Sequence, residues 1–104
     1  NQSEFISENE QVFKKCISFI KDSIGKQAFR PEGILNVAVF EAITVGLARR
    51  IKTYDLPDAI KFKQAHEALM QDERFLNSVF GPTSDETVVK ERHSIVDKYF
   101  SELL

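Results

Sequence analysis

The side chains with chemistry to offer are few and scattered: Cys16, His66, His93, a lone pair of opposite charges at Glu41 and Arg92, and two short basic clusters. A structural or catalytic metal site needs His, Cys or carboxylate ligands at characteristic spacing, as in His-x-x-x-His or Cys-x-x-Cys. His66 and His93 are far apart and Cys16 has no second cysteine, so no metal is expected. Cys16 falls on an apolar helical face, which suits a small inert thiol more than a thiolate nucleophile. The four glycines are dispersed, so no phosphate-cradling loop forms from them. The chain is therefore read as non-catalytic, with no catalytic residue, no cofactor and no metal ligand.

Arg92 stands out because helical spacing puts it in the middle of the stripe Val88, Val89, Ile95, Val96 and Tyr99, where a charge needs a partner. Glu41, the one charge between Val37 and Ala48, is its natural counterpart. The reading is a core-edge ion pair that sets helix register; the alternative is a contact to nucleic acid or another domain. The basic clusters are Lys14, Lys15 and Lys21 on the first helix, and Arg49, Arg50 and Lys52 at the end of the second. These are the positions from which DNA or a protein partner would be touched. Cations near a helix C-terminus also complement its dipole, neighbouring acids dilute both clusters, and the net charge of −2 argues against a chain built mainly to grip nucleic acid.

The elements that must carry these residues are all helical. Ser7-Glu8-Asn9-Glu10 has the form of a capping box, and a first helix follows with Phe13, Cys16, Ile17, Ile20 and Ile24 on one face. Gly25 is the expected stop, and residues 26–33 read as a loop anchored by Phe29 and broken by Pro31. Between Val37 and Ala48 only Glu41 and Thr44 are polar, so the second helix, about residues 36–52, is apolar nearly all round and is expected to be enclosed. Asn36 is its N-cap, with Leu35 and Phe40 placed as a hydrophobic staple. Ala38, Ala42 and Gly46 form a stripe of small residues along which a neighbour can approach closely.

Tyr54-Asp55-Leu56-Pro57-Asp58 is a connection in which Asp55 is expected to cap and Pro57 to sit in the first turn of a third helix running to about Gln71. Asp72 caps a short fourth helix, Glu73 to Phe80, ended by Gly81-Pro82. Thr83 with Glu86 makes a second capping box before a final helix whose apolar stripe ends at Leu103. No segment shows period-two alternation. The fold class is all-α, a compact bundle of about five helices around a buried central one.

At 104 residues, with 42% apolar and 29% charged side chains, the chain is read as a single helical domain over 1–104. No run approaches a membrane span, no secretory signal is seen, and the lone cysteine agrees with a cytoplasmic location. The sequence begins at Asn1 rather than Met, which suggests a piece of something longer.

The order and spacing of several residues resemble a known family. They are Phe29-Arg30; Ile34, Asn36 and Val39-Phe40-Glu41; Leu47-Ala48; Leu69-Met70, Asp72, Phe75 and Ser78; and Thr83, Asp85, Val89 and Arg92. Together they are similar to the helical region that follows the ParB-like nuclease/NTPase domain in restriction endonucleases of the GmrSD type. Gly81-Pro82-Thr83 departs from that pattern, which has Gly directly before the Thr. The family's Asp-Gly-Gln-Gln-Arg-type nucleotide motif and its HNH-type nuclease motif are absent here. The resemblance implies a non-catalytic helical module of a nucleotide-dependent DNA restriction or phage-defence protein, packing on its ParB-like domain or a partner subunit and helping to position DNA. The alternative is an independent small helical protein-interaction or regulatory domain.

Overall fold

Five α-helices and one 3-10 turn make up residues 10–80 and 85–103, the part of the chain described by the computed structural model, and there is no strand among the described residues. In chain order they are α1 (Glu10–Ser23), the 3-10 turn (Lys26–Phe29), α2 (Val37–Ile51), α3 (Ala59–Leu69), α4 (Glu73–Phe80) and α5 (Glu86–Ser101). The fold is all-α. None of the described helices is long and apolar enough to cross a membrane.

The apolar α2 lies where its composition puts it: every residue from Ala42 to Ala48 is buried. Asn36 starts it in an extended conformation, its Oδ1 accepting the Val39 N–H at 3.1 Å. The cover comes from α1, the 3-10 turn and α5. α5 also lies against α3 and α4, so it is a second hub rather than one more peripheral helix.

The small-residue stripe explains how α5 comes so near. A Cβ added at Gly46 would stand 2.5 Å from Val96 Cγ1, closer than carbon atoms tolerate, and 3.3 Å from the Phe100 ring, a tight contact. Phe100 then continues a relay of rings: its centroid is 5.4 Å from that of Phe62 on α3, which is 5.2 Å from that of Phe19 on α1. The tilted rings bury large apolar area and favour their edges over stacked faces. Three helices are thus joined through one aromatic line ending on the glycine.

Several local expectations change. Leu35 is half exposed, and Phe40 packs edge-on against Phe29 instead, at 4.9 Å and 71°. The reason is the bond from the Asn36 N–H to the Phe29 carbonyl at 2.9 Å, which folds the 3-10 turn back onto the start of α2. Gly25, with φ of 104°, ends α1 as expected, its N–H reaching the Ile20 carbonyl. The cap of α3 is Asp58, whose Oδ2 accepts the Lys61 N–H at 3.0 Å, not Asp55; Pro57 therefore precedes the cap. Likewise Asp85 caps α5, Oδ1 accepting from the Thr87 and Val88 N–H groups. Ser7 and Thr83, the expected hydroxyl caps, lie outside the described residues. Phe100, missing from the expected stripe, is buried, whereas Ile60 on α3 is exposed.

Gly46→Leu is expected to destabilise the fold by about 3 kcal/mol or more through overpacking, a drop in melting temperature of roughly 10 °C or more. Gly46→Ala should be milder and partly rescued by Val96→Ala, which removes the obstructing methyl. Melting curves unchanged in Gly46→Leu would overturn the close approach.

Candidate functional site

The polar side chains with chemical capacity are mostly used to satisfy carbonyl groups at the ends of other elements. The last carbonyls of a helix have no intrahelical partner and need one when buried. On α4 these are answered from two sides: Arg92 Nη2 donates to the Ser78 carbonyl at 2.8 Å, and Asn36 Nδ2 donates to the Val79 carbonyl at 3.1 Å. Asn36 therefore caps α2 with its oxygen and holds the end of α4 with its nitrogen. At the other end of α4, Asp72 accepts the Phe75 N–H at 2.9 Å through one carboxylate oxygen and the Tyr99 hydroxyl at 2.7 Å through the other. That Tyr99 bond, then the backbone bond, holds the Asp72 carboxyl below its ordinary pKa.

Arg92 is 2% exposed. Burial lowers its pKa, and the Glu41 carboxylate acts against that, favouring the charged guanidinium. The sequence offered Glu41 as the counter-charge of Arg92, and the two act on each other electrostatically. What it missed is that the guanidinium also closes a helix end, for which spacing carries no signal.

His66 on α3 is buried, and its Nε2 lies 2.8 Å from the Ala28 carbonyl in the 3-10 turn. A carbonyl can only accept, so Nε2 carries the proton and Nδ1 is left as the lone-pair nitrogen. Burial lowers the His66 pKa, countered by the Ala28 bond and by Glu67. Arg50 donates through Nη1 to the Asp55 carbonyl and through Nη2 to the Leu103 carbonyl, both at 2.7 Å. It tethers the link after α2 and the chain beyond α5 to one point, with the Tyr54 ring 5.4 Å from its guanidinium carbon.

The other expected contact residues are dispersed. Lys14 pairs with Glu10 at 3.4 Å, and Arg49 with Asp97 at 3.5 Å. Lys15, Lys21 and Lys52 are exposed. Burial raises the Asp97 pKa while Arg49 pulls it back. Beside this pair, burial first, then Arg49 and Arg92, depress His93 from 6.5 to about 4. Cys16 is fully buried, and burial pushes its thiol up to about 11, so it is not a thiolate at neutral pH. Among the described residues no group of three or more His, Cys, Asp or Glu could hold a metal ion.

The surface is concave in several places, among them one around Arg49, His93 and Asp97 and one beside Gly46 and Tyr54; two others are lined largely by apolar side chains. The larger, about 450 Å³, opens between the 3-10 turn, the residues following it, α3 and α4. Ile24, Met70, Leu76 and Phe80 supply its apolar lining, and Arg30, Glu32, Lys63 and Glu67 its charges; His66 borders it. The smaller lies among Ile17, Lys21, Lys26, Phe29, Arg30 and Leu35. Neither was visible in the sequence, because both are built from residues brought together by the return of the 3-10 turn. No protein family, curated protein or solved structure matches this chain.

Two outcomes test this electrostatic arrangement. In the unfolded chain His93 regains its ordinary pKa of about 6.5, so between there and about 4 the unfolded state binds a proton that the folded state refuses. Stability is full above that window and falls as pH drops through it, by about 3 kcal/mol. His66 acts in the same direction, while Asp97, whose raised pKa makes the folded state the better proton binder, opposes at lower pH. His93→Gln should remove most of the slope in urea unfolding followed from about pH 7 to about pH 4; an undiminished slope would show that the histidine is not the source. Separately, Arg92→Ala should cost about 3 kcal/mol, because it uncaps α4 and leaves Glu41 without its counter-charge. A double-mutant cycle with Glu41→Ala should show coupling, and strict additivity would refute the charge pairing.

Proposed function

We propose that this chain is a non-catalytic helical interaction module, and that the surface it offers is the apolar edge at the start of α2. The observation that carries this reading is the exposure of Ile34 at 78% and Val37 at 63%, with Leu35 half exposed between them. Large apolar side chains scattered singly over a surface need no explanation, but three within four residues, one of them, Leu35, lining a cleft with Ile17 and Phe29, are characteristic of a contact surface. The use of Arg92, His66, Asn36 and Arg50 as ties between elements supports the non-catalytic part, since those side chains already serve the fold.

The proposed occupant is a ParB-like domain of the same parent protein, as the resemblance of residues 29–92 to the helical region of GmrSD-type restriction endonucleases suggests. In that setting the module would stiffen or orient its neighbour during nucleotide-dependent work on DNA. Direct grip on DNA by this chain receives less support. Arg50 is committed to two carbonyls, and Arg49 and Lys14 stand beside carboxylates.

The test is to express the chain with and without the sequence that adjoins it in its gene and to follow amide hydrogen exchange. Amides around residues 34–38 are expected to slow by at least about tenfold when the neighbour is present. Ile34→Asp combined with Val37→Asp should abolish that protection without lowering the melting temperature, because both side chains are already in water. Exchange that does not respond to the adjoining sequence would overturn the proposal.

A further inference from the structure

The larger groove is rimmed by four charges, of which Glu67 also acts electrostatically on His66. Among the described residues, Arg30, Glu32, Lys63 and Glu67 form no ion pair within 4 Å, and their side chains make no hydrogen bond. Elsewhere the same helical spacing does close: Glu10 meets Lys14 at 3.4 Å and Glu86 meets Lys90 at 3.2 Å. Lys63 and Glu67 have the reverse order, which pairs less well, and both line the groove. Facing them across it, the residues after the 3-10 turn contribute Arg30 and Glu32. Each wall therefore carries one cation and one anion, while Ile24, Met70, Leu76 and Phe80 line the space with apolar surface.

A rim whose charges sum to zero has no preference for a simple anion or a simple cation, because either meets repulsion and attraction in equal number. It does favour a molecule that presents both signs side by side. An opening of about 450 Å³ is within the usual range for small-molecule sites, roughly 300–1,000 Å³, and its lining calls for an apolar body. The buried imidazole of His66 adds a fixed feature: with Nε2–H committed to the Ala28 carbonyl, its other nitrogen is an acceptor suited to an ammonium group.

We propose that this groove binds a small zwitterion with a large apolar side group, of the chemical class of a free aromatic or branched aliphatic α-amino acid. The carboxylate is taken by Arg30 or Lys63, the ammonium by Glu32 or Glu67, and the side group by the apolar lining. Arg30 lines both this groove and the cleft beside Leu35, so the two places adjoin, but the probe below reads the groove without any protein partner.

The probe is L-phenylalanine, titrated into the 104-residue chain with amide chemical shifts as the readout. Saturable shifts are expected to be confined to Arg30, Glu32, the segment from Lys63 to Gln71, and Leu76. Phenylacetate and phenethylamine, which each keep one charge, should bind about tenfold more weakly, the loss of one charged contact. Arg30→Gln and Glu67→Gln should each weaken phenylalanine binding by about fivefold while leaving the melting temperature unchanged, since both side chains are exposed. No saturable shift, or equal affinity for the three probes, would overturn the proposal. So would equal binding of N-acetyl-phenylalaninamide, because a blocked residue that binds as well points to a protein segment as the occupant.

Discussion

Everything in this fold leans on the close approach of α2 and α5 at Gly46. With no side chain there, Val96 and Phe100 rest directly on the α2 backbone, nearer than any Cβ would permit. That contact sets the position of Phe100, which sets Phe62, which sets Phe19, so the placement of α3 and α1 is linked to a glycine two helices away. A glycine in mid-helix costs about 1 kcal/mol relative to alanine. The dense packing it allows offsets that cost, because a well-filled contact recovers dispersion that a gap would forfeit.

A second constraint follows from the shortness of the elements. In an eight-residue helix such as α4, half the backbone carbonyls belong to the last turn and lack partners within the helix. The fold answers with side chains from elsewhere: Arg92 and Asn36 on α4, His66 on the 3-10 turn, Arg50 on the segments around Asp55 and Leu103. Apart from the Arg50 bond to Asp55, five residues on, these bonds join parts of the chain far apart in sequence. They fix register more specifically than apolar contact does, since a carbonyl in the wrong place leaves a donor and an acceptor both unsatisfied. This division of labour also bears on function. The residue types that would attract attention as catalytic groups are largely occupied, while the residues left facing water are apolar edges and uncommitted charges around a groove.

How far this could be seen beforehand depends on the range of the interaction. Asn36 as a cap, Asp72 as a cap, Gly25 as a stop and the enclosure of α2 were legible because each is a relation among neighbours a few residues apart. The cap of α3 went to Asp58 rather than Asp55 because two carboxylates three residues apart compete near that start. Phe40 found Phe29 rather than Leu35 because of the return of the 3-10 turn.

The sequence by itself determined the helical class, the apolar character of α2, the small-residue stripe with Gly46, and the need of Arg92 for a compensating charge, all of which follow from periodicity and from the cost of burying a charge. The tertiary structure alone decided which helix fills the notch at Gly46, which carbonyls receive Arg92, Asn36, His66 and Arg50, and where the groove opens. Apart from the Arg50 bond to Asp55, those outcomes depend on distances between residues 14 to 53 positions apart, and local pattern holds no information about them until the chain has closed on itself.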